Sequence, residues 1–101
     1  MATTSKILYR GAASTTTTTT LYTVPSATTT VVTSIVITNT SGSAATFTMA
    51  LGGINLATTV TVGAYDSTVL DLKQVLDAAD TIQGGASVTD INFHISGVEI
   101  A

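Results

Sequence analysis

One histidine, six carboxylates, two lysines, one arginine and three tyrosines are the ionisable side chains of this 101-residue sequence, and cysteine is absent. Acid–base or nucleophilic catalysis needs such groups converging within hydrogen-bonding reach. His94 is the only imidazole, hence the one candidate of its kind for a general base or a metal ligand. It lies in Ile91-Asn92-Phe93-His94-Ile95-Ser96, where Ile91, Phe93 and Ile95 take one face of a strand and His94 the other. A metal centre needs at least two further ligands, and no HxH or carboxylate–x–His spacing accompanies it. The pattern predicts a surface or interface histidine packed beside threonines.

Asp77 and Asp80 stand three residues apart, but no DxDxDG calcium loop surrounds them. Aspartates at such a corner hydrogen-bond their own backbone, so a turn is expected here and at Asp66. Gly52-Gly53 and Gly84-Gly85 belong to no GxxxxGK[ST] or GxGxxG phosphate loop and read as turn glycines, as do Gly63 and Gly97. Tyr9, Tyr22 and Tyr65 offer aromatic faces to a sugar, yet they are scattered and unaccompanied by tryptophan, which favours core-edge or interface roles. No catalytic, cofactor-binding or metal-binding residue is assigned, and no enzyme is expected.

The elements that position these groups are strands. Threonine accounts for 23 residues, alanine for 13 and serine for 9. β-Branched side chains pack well on pleated surfaces. Phe47, Met49 and Leu51 alternate with Thr46 and Thr48, the period-two signature of a half-buried strand, and Thr59 to Val62 repeats it. Val31 to Ile37 (VVTSIVI) is apolar on both faces and reads as a central strand covered on both sides. Strands are expected at roughly 5–12, 18–24, 30–39, 45–51, 58–62, 67–73, 80–84 and 90–100, with a one-turn helix or tight turn over Gln74 to Ala79. Pro25 fits an extended corner. The six threonines Thr15 to Thr20 are expected to be ordinary strand rather than a flexible or glycosylated spacer. Eight short strands predict a single all-β domain over 1–101, an antiparallel jelly-roll-like β-sandwich, with a short N-terminal arm at about 1–13.

Composition narrows the function classes. Charged residues are 9% of the chain, against about 25% in ordinary domains, and the net charge is −3. Three basic residues are too few for a general nucleic-acid binder. Hydrophobic residues at 45% argue against disorder, and no apolar run approaches the roughly 18 residues of a membrane span. Met1 to Ser14 has no apolar stretch of the kind a secretion signal needs. A weakly charged Thr/Ser/Ala surface suits a chain covered by partners, as a symmetric homo-oligomer, either homotrimer or homodimer. Lys6 and Arg10 hold two of the three positive charges, whereas five of the six acids lie from Asp66 to Asp90. Lys6, Ile7, Leu8, Tyr9 and Arg10 are therefore the candidate partner-binding segment.

Four segments in order carry a resemblance: LYTVP (Leu21 to Pro25), VVTSIVITNTSGSAATFTMAL (Val31 to Leu51), VLDAADTI (Val75 to Ile82) and INFHISGVEI (Ile91 to Ile100). Together they resemble the small β-sandwich virion proteins of tailed bacteriophages, of the capsid-decoration or tail-associated type. Ala79 stands where glycine is common in that pattern. The resemblance implies a non-enzymatic structural protein without cofactors. It would act as a decoration (cement) protein on the outer capsid surface, bound to the major capsid protein, or alternatively as a tail or tail-fibre component that binds a receptor or glycan.

Overall fold

The computed structural model describes residues 2–101. Eight strands form: β1 (Thr3–Ala12), β2 (Thr20–Thr23), β3 (Thr29–Asn39), β4 (Ala45–Leu51), β5 (Ile54–Val62), β6 (Ser67–Leu76), β7 (Thr81–Ala86) and β8 (Ile91–Ile100). They make two four-stranded antiparallel sheets, β1-β8-β3-β6 (sheet A) and β2-β7-β4-β5 (sheet B). Every connection crosses between sheets except the β4–β5 hairpin, which is the strand order of a jelly roll.

Alternation builds the core. Val32, Ile35 and Ile37 of β3 and Ile91, Phe93 and Ile95 of β8 face Phe47 and Met49 of β4 and Ile82 of β7, all essentially inaccessible. Phe47 and Phe93 meet edge-to-face across the sheets, centroids 6.3 Å apart and planes at 71°. That geometry sets a ring edge against the electron-rich face of its partner.

Several expectations change. β3 is central, but only its inner face is covered; Val31 and Val36 lie half-buried on an outer face with no layer above them. β5 starts at Ile54 rather than 58, because Gly52 and Gly53 adopt φ of +61° and +80° and close a two-residue hairpin of the type whose twist suits strands. β6 runs to Leu76, with no helix over Gln74 to Ala79. β3 offers ladder partners as far as Thr30, and Val75 points outward while Leu76 is buried. Residues 3–12, expected to begin in an arm, are paired with β8 throughout, and the ladder extends to mutual Ala2–Ala101 hydrogen bonds of 2.8 and 2.9 Å.

The threonine run is not a strand before Thr20. Thr16 N–H is held by the Ser14 hydroxyl at 3.0 Å, and the Thr16 carbonyl receives the Thr19 hydroxyl at 2.8 Å. Such side-chain bonds offer the backbone an alternative to the ladder. The resulting loop lies on β7, where Gly84 N–H donates to Thr19 O and Ala86 N–H to Ser14 O. Gly84, Gly85 and Gly97 are accordingly strand-interior residues at close approaches, not turn glycines.

Candidate functional site

Polar side chains converge in two places, and both tie the sheets and loops together. At one end of the sandwich, Tyr22 of β2 reaches across to sheet A. Its hydroxyl donates to Glu99, whose carboxylate also accepts Lys6 Nζ at 3.3 Å. With the phenol proton so used, the Thr30 hydroxyl donates to the Tyr22 oxygen at 2.9 Å. The Tyr22 hydrogen bond holds the Glu99 carboxyl below its ordinary range, with Lys6 adding to the effect against partial burial. Burial raises the Tyr22 phenol, and the adjacent Glu99 raises it further. Chemically this is a neutral phenol beside a fixed carboxylate, each saturated by its partners, so the cluster is an inter-sheet clamp rather than a nucleophile or base.

The clamp makes stability depend on pH. Glu99 has a depressed folded-state pKa, so its contribution is present above the unfolded value near 4.5 and is lost as pH falls through the lower folded value. Tyr22 has a raised one, so its contribution holds below 10.0 and is lost as pH rises beyond it. Urea midpoints measured from pH 3 to 6 should fall on the acid side, and Glu99→Gln should flatten that limb. Tyr22→Phe should cost about 1.5–3 kcal/mol near neutrality, the range for a hydrogen bond to a charged group.

At the opposite end, Asn39 is buried and organises two loops. Its Nδ2 donates to Ser43 O at 2.8 Å and is shared with Val62 O at 3.2 Å and Gly63 O at 3.3 Å. Its Oδ1 accepts the Ser41 backbone N–H and hydroxyl, both at 3.0 Å. Nothing in the local sequence marks Asn39 for burial, because its partners Val62 and Gly63 lie far along the chain.

His94 stands exposed on the outer face of sheet A, opposite Ile91, Phe93 and Ile95. Its cross-strand neighbours are Arg10 and Val36, not threonines. Among the described residues no three His, Asp or Glu side chains come together as a metal site needs. Asp77 and Asp80 close the β6–β7 turn: Asp80 Oδ2 accepts Asp77 N–H and Asp77 O accepts Asp80 N–H, each at 3.0 Å. Asp66 caps its own corner through Ser67 N–H at 2.8 Å.

Ala79 in that β6–β7 turn has φ of +71°, the left-handed region that glycine enters without a Cβ penalty. Ala79→Gly should therefore stabilise the fold by roughly 0.5–1 kcal/mol, net of the added chain entropy, and raise the thermal midpoint by a few degrees.

The candidate partner segment divides between surfaces. Lys6 is engaged by Glu99, Ile7 and Arg10 are exposed, Tyr9 donates to Ala12 O at 3.0 Å, and Leu8 turns into the core at a bulge in β1. The tyrosines do not share a platform either. Tyr9 packs over Gly11, Tyr22 is in the clamp, and Tyr65 alone of the three is largely free, 76% exposed on the β5–β6 loop. An open groove of about 580 Å³ runs between β5 and β6, lined by Leu56, Val60, Val69, Leu70 and Leu72, with Asp71 as its one ionisable group.

No family model and no curated protein matches this chain.

Proposed function

We propose that the chain is a non-enzymatic virion structural protein of a tailed phage, a decoration protein that binds the expanded capsid lattice and stabilises it. The observation that carries this reading is the ordered resemblance of Leu21 to Ile100 to such proteins, seated on a jelly roll, an architecture used by viral capsid and lectin domains. The ionisable groups support it: they are spent on a clamp, two turn closures and a sparse surface. Stabilisation would follow from mass action, since a protein that binds only the expanded lattice shifts the equilibrium toward it, and symmetry multiplies weak contacts.

The test is to add purified protein to undecorated expanded capsids of the phage that encodes it. Binding at fixed stoichiometry, with greater resistance of the particle to heat, is expected; cosedimentation of none overturns the reading. Deleting residues 1–11 would remove an edge strand of sheet A, so single substitutions at Ile7 map the contact better than truncation. The exposed Tyr65 ring favours a second reading, a tail or fibre component binding glycans, which a glycan array with a Tyr65→Ala control tests.

A further inference from the structure

The two outer faces of the sandwich differ in chemistry. That of sheet B presents Thr46, Thr48 and Gln83 and is partly overlaid by the threonine loop. That of sheet A presents five valines: Val31, Val36 and Val98 half-buried, Val69 and Val75 58% and 62% exposed. Register aligns them in two rows across the sheet. One runs Arg10–His94–Val36–Val69, the other Ser5–Val98–Val31–Val75. Between them lies a row ending in Asp71 on β6. β-Branched aliphatics on a face without a covering layer are the composition of an inner sheet surface, and scattered polar neighbours do not remove the cost of leaving it wet.

We propose that this face packs against the same face of a second copy, about a twofold axis parallel to the strands. Charge selects the occupant and the axis. Rotation about such an axis lays β1 of one copy over β6 of the other and keeps each row at its own height. Arg10 then sits above Val69 of the second copy, one pleat repeat of about 6.6 Å from that copy's Asp71, within reach of a guanidinium at the usual sheet spacing of about 10 Å. The symmetry makes this pair twice, one at each margin, and stacks the Val31–Val75–Val98 row on its own image. An axis across the strands would instead lay β1 on β1 and β6 on β6, keeping Arg10 on the opposite margin from Asp71. Four strands at about 4.8 Å by nine residues at about 3.3 Å give roughly 600 Å² per copy, or about 1,200 Å² in total, which meets the lower limit of specific interfaces. Two such sheets pack aligned, the arrangement that the axis imposes. The dimer does not depend on the capsid reading.

Sedimentation equilibrium and light scattering up to about 1 mM chain read the result. The expected mass is twice 10.2 kDa. Arg10→Asp and Asp71→Arg should each weaken dimerisation at least tenfold, and the double swap should restore it. Val36→Glu should give monomer, with Val69→Lys as a second probe of the same face; circular dichroism and melting confirm that each variant is folded. A wild-type chain that stays monomeric or forms trimers, a dimer indifferent to Val36→Glu, or a double swap that fails to recover assembly overturns the proposal. Capsid binding by a monomeric wild type would overturn the dimer and leave the decoration reading standing.

Discussion

Gly97→Ala is expected to lower stability by about 3 kcal/mol or more, a large fraction of the roughly 5–15 kcal/mol available to a domain of this size. Gly97 lies mid-strand in β8, at an inward position between β1 and β3. A Cβ there would stand 2.4 Å from the Val31 carbonyl oxygen and 2.8 Å from Leu8 Cδ1. A leucine tip could swing aside, but the carbonyl belongs to the β3 ladder and cannot retreat alone. Both flanking strands also bulge beside this point, β1 between Ile7 and Tyr9 and β3 between Val32 and Ser34. The glycine lets the sheet bend where these insertions concentrate its twist. Thermal melting should show a midpoint lower by well over ten degrees, or no cooperative transition. Gly63→Ala is the control, because the added methyl meets Asp66 at an ordinary 3.7 Å and should change little. Equal losses at both positions would mean that adding a methyl group, rather than the carbonyl contact at Gly97, sets the cost.

Asn39→Ala is expected to cost about 2–4 kcal/mol, because it takes the side-chain donor from the buried Val62 carbonyl and the acceptor from Ser41 N–H, and leaves a cavity. Asn39→Asp should be worse at pH 7, since a carboxylate in place of Nδ2 would face the carbonyls of Ser43, Val62 and Gly63 without a proton to offer. Chemical denaturation of both variants distinguishes a lost donor from mere side-chain volume: if Asp were as well tolerated as Asn, the three-carbonyl geometry would carry no energy.

These two positions also mark what one-dimensional reading reaches. All eight strands were visible, the clearest through period-two alternation: Phe47, Met49 and Leu51 against Thr46 and Thr48, and Ile91, Phe93 and Ile95 against Asn92, His94 and Ser96. Their ends were less so. The start of β5 depended on two glycines closing a tight hairpin, and the end of β6 depended on how far β3 extended beside it. The Thr15 to Thr19 segment misled because β propensity there loses to local hydroxyl–backbone bonds and to a landing place on Gly84 and Gly85. Glycine itself carries no mark that separates a turn from a close approach: Gly52 and Gly53 turn, whereas Gly85 and Gly97 admit a neighbouring backbone. The clamp of Tyr22, Thr30 and Glu99 joins positions up to 77 residues apart, and nothing local announces it.

β8 lies between β1 and β3, so the first of the eight strands is matched to the last. At roughly 5–20 residues per second, β1 waits several seconds for its partner. Until then β3–β6 and all of sheet B can pair, the β4–β5 hairpin being the one pair among them that is consecutive in sequence. Early assembly can therefore build sheet B around that hairpin while sheet A stays divided into an unpaired β1 and a β3–β6 pair. Sheet A is completed only once β8 is available, and until then β1 and the open edge of valine-rich β3 are exposed to chaperones or to clumping with other chains.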